Sequence, residues 1–258
     1  MRRASRSVSP RRAISIYCAG SPYRAVSPYR PGSRPGSRGV VSASRTAGRS
    51  GHETLRCRDL EVLGWLGEQY GARADQLEVL MGCGPRTVQR TIARLRDTGL
   101  VHTQRMLVGE PAWVIPTAAG MAACGAGFGL WRPRIGLIAH VAAVNDVRLH
   151  IQSRAPQTEW IPERALGRER GAGEHLPDGV AITEGRRVAI EVELTVKSRS
   201  RVTAILDELA GRFDAVLYFC AAGPHRQLTE LAESGRWPTL GVRDLPHAEG
   251  GADNRRLA

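Results

Sequence analysis

The sequence predicts a mixed α+β protein of two domains, and three observations support this prediction. Apolar residues recur at helical spacing three times between residues 58 and 97. A further helical pattern over residues 135 to 152 is followed by short segments in which apolar and polar residues alternate, as in strands. Residues 125 to 134, which begin with a glycine-rich stretch, separate the two patterns and form the predicted linker. With 258 residues, 42% of them hydrophobic, the chain can build both cores.

The basic charge of the chain is concentrated at its beginning. The formal net charge is +12, but residues 1 to 52 hold eleven arginines and no acidic residue. The rest of the chain, with 26 basic and 25 acidic groups, is almost neutral. Because residues 1 to 52 are rich in Arg, Ser, Pro and Gly, we expect a disordered arm, and residues 246 to 258 are expected to be a disordered tail. The arm either holds DNA phosphates loosely or is an inessential extension.

Cysteine usage and hydropathy predict a cytoplasmic protein with no membrane partner. The five cysteines are odd in number and form no close C-x-x-C pair, which indicates a reducing compartment and argues against structural zinc. No apolar run reaches the roughly 20 residues of a membrane span. The arginine-rich start also lacks the apolar region of a secretory signal.

The first domain, residues 53 to 124, is predicted to contain three helices and a hairpin. Its buried helical faces are predicted from apolar spacing at Leu60, Leu63, Leu66, Leu77, Leu80, Val88, Ile92 and Leu95. Pro85 suits the first position of the third helix, and Gly99 ends that helix. Residues 101 to 107 and 112 to 115 alternate as two strands of a hairpin. Three helices followed by a hairpin are the element order of a winged helix-turn-helix domain.

The third helix carries polar residues away from its buried stripe. They are Arg86, Thr87, Gln89, Arg90 and Arg94. Arginine and glutamine can read base edges in the major groove, so we expect double-stranded DNA as the partner. The alternative is a protein-interaction module in which these residues are merely solvated. Because winged-helix proteins often dimerise, a homodimer is also compatible with the sequence.

The second domain, residues 135 to 245, is predicted to contain a helix, three strands, a helix and a strand. The predicted elements cover residues 135 to 152, 160 to 161, 179 to 183, 187 to 195, 196 to 212 and 215 to 220. This order predicts a mixed sheet that is flanked by helices on both faces.

Acidic residues are repeated on the strand predicted at residues 187 to 195. Glu191 and Glu193 share one face of it because side chains alternate along a strand, and Asp178 begins the neighbouring strand. Carboxylates on an apolar strand need compensation, and Mg²⁺ or Mn²⁺ is a suitable cation, so these three residues are the predicted metal ligands. Lys197, the only lysine of the chain, could assist an attacking water, which makes it the fourth predicted catalytic residue. The alternative is a solvent-facing strand whose glutamates form salt bridges.

Expectations also follow for four further titratable residues. Asp146 is either another acid near the metal or an exposed partner of Arg148 or Arg154. Glu163 either approaches the metal from the first strand of the sheet or is a solvated strand residue. The histidines His140 and His175 are expected to be satisfied or exposed and not metal ligands.

Two family resemblances follow from these motifs. Residues 135 to 221 resemble the PD-(D/E)xK nucleases, which implies an αβββαβ restriction-endonuclease-like core with acids around Mg²⁺. Here Asp178 matches the motif aspartate and Glu191 the second acid, while Glu193 stands where the family lysine would fall.

The segments HVAAVNDVRLHI, EWIPE, LPDGVAI and IEVELTVKSRSR, together with the winged helix, are similar to the replication-relaxation proteins of actinobacterial mobile elements. The similarity spans about residues 55 to 220. It implies replication or mobilisation of plasmids or integrative elements, with other replication or transfer proteins as partners, and a Mg²⁺-dependent endonuclease activity. The displaced lysine favours the alternative, a non-catalytic transcriptional or replication regulator with a degenerate nuclease-like domain.

Overall fold

The computed structural model describes residues 55 to 168 and 173 to 246. The arm predicted at residues 1 to 52 and nearly all of the tail predicted at 246 to 258 lie outside the described residues. Within the described ranges the chain is a mixed α+β protein with a three-stranded and a five-stranded sheet. Among the described helices, none combines the length and apolar character that a bilayer crossing needs.

The three predicted helices of the first part form where apolar spacing places them. They are α1 (Cys57–Glu68), α2 (Ala74–Met81) and α3 (Pro85–Asp97). Their apolar faces pack into one core in which Leu63, Leu66, Leu77 and Val88 are wholly buried. Pro85 begins α3, where its missing N–H breaks no helical hydrogen bond.

A small antiparallel sheet closes the first part. Its strands, in the spatial order β1-β3-β2, are β1 (Ala72–Arg73), β2 (Val101–Gln104) and β3 (Trp113–Pro116), and α4 (Ala118–Ala123) follows. The predicted hairpin is confirmed, although β2 ends at Gln104 and not at Leu107. The sequence did not predict β1, because two residues are too few for an alternating pattern.

The second part contains the predicted order of elements and three more. The elements are α5 (Ile135–Arg154), β4 (Glu159–Pro162), α6 (Glu163–Leu166), β5 (Gly179–Thr183), β6 (Arg186–Glu193), α7 (Arg199–Ala210), β7 (Ala215–Cys220), α8 (Ala222–Glu233) and β8 (Leu240–Asp244). The sequence did not predict α6, α8 or β8. Helix α7 begins three residues later than predicted because the Ser198 hydroxyl caps it by accepting from the backbone N of Arg201. Lys197 therefore lies before the helix and not in its first turn.

The five strands lie in the order β4-β5-β6-β7-β8, antiparallel from β4 to β6 and parallel from β6 to β8. Helices cover both faces, as predicted. Ile190 and Val192 of β6 pack with α5, whereas Ala189 packs with α7 and α8 on the other face. The predicted alternation of β6 is therefore confirmed, and Glu191 and Glu193 share the face of Ala189.

Helix α5 joins the two parts through a buried arginine. The Arg148 side chain is 1% exposed and forms an ion pair of 2.8 Å with Glu68 of α1. Its guanidinium also lies 5.4 Å from the ring centre of Trp65 in α1 and 5.8 Å from that of Trp160 in β4. One cation thus contacts elements from both parts of the chain.

A second set of polar contacts fixes α2 against α5. Gln76 donates to the Ala142 carbonyl at 2.8 Å and to the Asp146 carboxylate at 2.7 Å. Asp146 also forms an ion pair of 3.4 Å with Arg73. The expected pairing of Asp146 with Arg148 or Arg154 was therefore wrong: its partners come from the first part of the chain, whose packing the helical spacing of α5 could not reveal.

We predict that Arg148→Ala lowers the free energy of unfolding by about 3 kcal/mol, because it leaves the partly buried Glu68 carboxylate unpaired. The matched control is Arg154→Gln at the exposed end of the same helix, for which a change within about 0.5 kcal/mol is expected. Urea unfolding followed by circular dichroism measures both. Equal stability of the two variants would contradict a structural role for Arg148.

Candidate functional site

The two glutamates of β6 are buried. Glu191 is 4% exposed and Glu193 5%, so the expectation of a solvent-facing strand is wrong, although each glutamate does pair with a basic side chain. In the parallel register their neighbours on β7 are Tyr218 and Cys220. Two carboxylates thus lie on one covered face of the sheet, where each needs a polar partner.

Asp178 is fixed between the sheet and α5. One carboxylate oxygen accepts from the backbone N–H of Val192 at 2.7 Å, and the other lies 2.8 Å from Nε2 of His140. The chain enters β5 directly after Asp178 at Gly179, where a Cβ would lie 2.2 Å from the Trp160 ring. Close packing of glycine under tryptophan therefore sets the position of the aspartate.

His175 is the partner of Glu191. Its Nε2 lies 2.9 Å from Oε1 of Glu191, and its backbone N–H donates to Glu208 of α7 at 2.6 Å. Arg212 donates to the His175 carbonyl at 2.9 Å. No sequence pattern selected this histidine, although it stands three residues before Asp178 on the same approach to β5.

Lys197 lies against Glu193. The distance from Nζ to Oε2 is 2.5 Å, and the lysine side chain is 38% exposed. Gln227 of α8 donates to the Lys197 carbonyl at 3.1 Å and holds this turn of the chain. The four predicted residues are thus distributed over three pairs: Asp178 with His140, Glu191 with His175, and Glu193 with Lys197.

Glu163 approaches the same region from α6 and not from a strand. Its carboxylate accepts from the hydroxyl of Tyr70 at 3.3 Å. Glu163, Tyr70, His140 and Asp178 line a small cavity of about 20 Å³, enough for about one water molecule. Burial raises the pKa of Glu163, and the negative charge of Asp178 adds to that effect.

The acids share one electrostatic environment. Burial raises the pKa of Glu191 to about 7; the hydrogen bond from His175 opposes the shift, and the charge of Asp178 reinforces it. Burial disfavours the protonated form of His140, but the hydrogen bond and charge of Asp178 outweigh burial, so the pKa of His140 is raised. The charge of Asp178 thus acts on a carboxyl group, Glu191, and on an imidazole, His140.

The fit to a metal ion is partial. Carboxylate oxygens are the ligands that Mg²⁺ prefers. Yet each predicted ligand already contacts an imidazole or an ammonium group, and in the described ranges no three acidic, histidine or cysteine side chains stand in metal-ligating positions. These acids are compensated by basic side chains, and a bound Mg²⁺ would have to displace those partners.

The predicted DNA-contact residues of α3 differ in exposure. Arg86, Gln89 and Arg90 are exposed, and Thr87 is half-buried. Arg94 is the exception, because its Nη2 donates to the buried carboxylate of Asp59 at 2.6 Å and its Nη1 contacts the same group. That ion pair ties α3 to α1.

Comparison of the chain with protein-family models, with curated proteins and with solved structures gives no match. The exposed face of α3 and the buried acids near β5 and β6 are therefore the features from which a function is inferred.

We predict that the stability of the protein falls as the pH rises from 4.5 to about 7. The pKa of Glu191 is raised from 4.5 to about 7, and the pKa of His175 is raised from 6.5 chiefly by its hydrogen bond to Glu191. The folded protein therefore binds more protons than the unfolded chain in this range, which makes the slope negative.

Glu191→Gln is expected to flatten this slope, measured by urea unfolding at several pH values. Glu233→Gln, at an exposed position of α8, is the control and should keep the slope of the intact protein. An unchanged slope in Glu191→Gln would refute the assignment of this pH dependence to Glu191.

Proposed function

We propose that the protein binds double-stranded DNA through α3 of a winged helix-turn-helix domain. The observation that carries the proposal is the two-sided character of this helix. Val88, Ile92 and Leu95 are buried on one side, while Arg86 and Arg90 are exposed on another. The β2–β3 hairpin follows α3, which is the position of the wing.

The exposed residues of α3 suit the major groove. Arginine pairs with guanine and glutamine with adenine, so Arg86, Arg90 and Gln89 supply groups for base edges or phosphates. Thr87 contributes a hydroxyl beside them, 3.4 Å from the guanidinium of Arg90. Arg94 acts within the domain through Asp59, and we do not assign it to base contacts.

We further propose that the second part is related in fold to the PD-(D/E)xK nucleases. The support is the sequence of a helix, α5, then an antiparallel meander of β4, β5 and β6, then α7, and then β7 parallel to β6. Asp178 at the start of β5 and Glu191 on β6 are on adjacent strands, as the nuclease motif requires. Such a protein would act on plasmid or integrative-element DNA during replication or mobilisation, together with other proteins of the element.

Two activities of this second part are compatible with different observations. A pKa of about 7 suits Glu191 for accepting and returning a proton near neutral pH, and Lys197 could stabilise developing negative charge, which favours an endonuclease. Mg²⁺, when bound, would supply a Lewis acid. The pairing of all three acids with basic groups favours the alternative, a non-catalytic regulator whose former site is now structural.

We predict that Arg86→Ala and Arg90→Ala each weaken duplex binding by roughly five- to a hundredfold, and that Gln89→Ala relaxes sequence preference. Fluorescence anisotropy with labelled duplexes at several salt concentrations measures the affinity and the salt slope. Arg186→Gln, at the exposed first position of β6, is the matched control and should bind like the intact protein. Equal affinities for all of these variants would exclude α3 as the contact surface.

For the endonuclease, we predict nicking of supercoiled plasmid that depends on Mg²⁺ or Mn²⁺. Asp178→Ala and Lys197→Ala should each slow it by at least roughly a hundredfold, whereas Glu233→Gln should not. Gel separation of nicked from supercoiled plasmid gives the rates. Absence of metal-dependent nicking by an intact protein that binds duplex DNA normally would select the regulator.

A further inference from the structure

An open groove lies beside the acids of the candidate site. Its volume is about 400 Å³, and its walls include Tyr70, Phe128, Arg164 and Arg168. We call it the arginine groove. It shares Tyr70 and Glu163 with the small cavity that contains His140 and Asp178, so the groove and the acids are adjacent.

Aromatic rings hold the guanidinium groups of the groove in place. The guanidinium of Arg164 lies 4.5 Å from the ring centre of Tyr70 and 4.9 Å from that of Phe128. The guanidinium of Arg168 lies 4.4 Å from the same Phe128 ring. Both arginines also donate to carbonyls of the linker, at Gly129 and Gly127. Such contacts restrict the planar groups before any ligand arrives.

The position of Tyr70 adds to this preorganisation. Its backbone has a φ of 65°, in the left-handed region that residues other than glycine seldom adopt. The following glycine, Gly71, is held at both ends, because its N–H donates to Leu66 at 2.8 Å and its carbonyl accepts from Asn145 at 2.9 Å. A backbone conformation that is unfavourable for a residue with a large side chain, beside a groove, is a pattern associated with binding sites.

The two ends of the groove differ in charge. In the described part of the chain, no carboxylate lies within ion-pair distance of the Arg164 guanidinium, whose hydrogen bonds go to the Gly67 and Gly129 carbonyls. Burial, together with the neighbouring charge of Arg168, lowers the pKa of Arg164. An anion would therefore be stabilised beside the arginines, whereas Glu163 disfavours one at the inner end.

A single-stranded nucleic acid combines the two properties that the groove can recognise. Phosphates suit the guanidinium groups, and unpaired bases can stack on aromatic rings or on arginine planes. Bases inside a duplex are covered by their neighbours and cannot stack in this way. A volume of about 400 Å³ lies within the range of small-ligand pockets, which admits a nucleotide and excludes a double helix.

We infer that the arginine groove binds a short unpaired segment of nucleic acid beside the acids at Glu163 and Asp178. This inference deepens the proposed function: α3 would hold the duplex while the groove receives a strand that has left it, as at a nick, a fork or a melted origin. DNA and RNA share the recognised chemistry, and the experiment distinguishes them.

The test measures fluorescence anisotropy of the full chain in EDTA with labelled oligo-dT, oligo-U and a duplex of the same length. Arg168→Gln and Phe128→Leu should each weaken single-strand binding about tenfold and leave duplex binding unchanged. Arg168→Lys, which keeps the charge without the plane, should recover only part of the affinity. Arg186→Gln is the control and should bind like the intact chain.

Two results would overturn the inference: single-strand affinity within twofold of the intact chain in both variants, or an equal loss for single strand and duplex. Circular dichroism and the unfolding midpoint show whether each variant is folded, and Arg168→Gln, at an exposed position, decides if Phe128→Leu unfolds. Failure of the proposed function can be distinguished from failure of this inference. If the intact chain does not bind duplex DNA but its single-strand binding depends on Arg168, α3 is not the duplex-binding surface. The assignment of single-strand binding to the arginine groove then still holds.

Discussion

The buried Arg148 cation is the constraint on which the rest of the structure depends. A guanidinium that is removed from water requires a counter-charge and further partners, and here these come from Glu68, Trp65 and Trp160. These partners belong to α1 and β4. The buried guanidinium of Arg148 therefore holds the helical part and the large sheet together. Gln76 and Asp146 strengthen the same junction with hydrogen bonds. The exposed face of α3 and the acids of the sheet are thereby carried on one framework.

The candidate site follows from strand register and not from loop geometry. Gly179 stands opposite Ile190, so Asp178 falls level with Glu191 at the end of an antiparallel pair, and its carboxylate accepts from the backbone of the same strand at Val192. Burial then determines the chemistry, because carboxylates that are screened from water retain protons or recruit cations. Two histidines and a lysine perform this compensation in the present arrangement. A metal ion would have to replace those partners, and this competition separates the enzymatic from the regulatory proposal.

Much of the fold was predictable because its long elements have clean periodicity. Helices α3 and α5 and strands β5 and β7 begin and end at, or within a residue or two of, the predicted positions, since their apolar spacing is interrupted by glycine, proline or charged turns. The shared face of Glu191 and Glu193 also followed from alternation along β6, although their burial did not. The pairing of His140 with Asp178 and of His175 with Glu191 was not predicted, because each histidine meets its acid only through tertiary packing. The roles of Asp146 and Arg94 were hidden for the same reason: their partners, Arg73 of β1 and Asp59 of α1, lie on elements distant in sequence.

The packing of Trp160 over Gly179 restricts how this chain can change over time. One ring touches the buried guanidinium on α5 and also covers the residue beside Asp178. A larger side chain at position 179 finds room only if the indole is exchanged for something smaller, and that exchange would deprive the arginine of a neighbour. In descendants of this sequence, substitutions at positions 160 and 179 should therefore occur together. Their joint occurrence would show that the packing of the helical half and that of the acidic centre depend on each other.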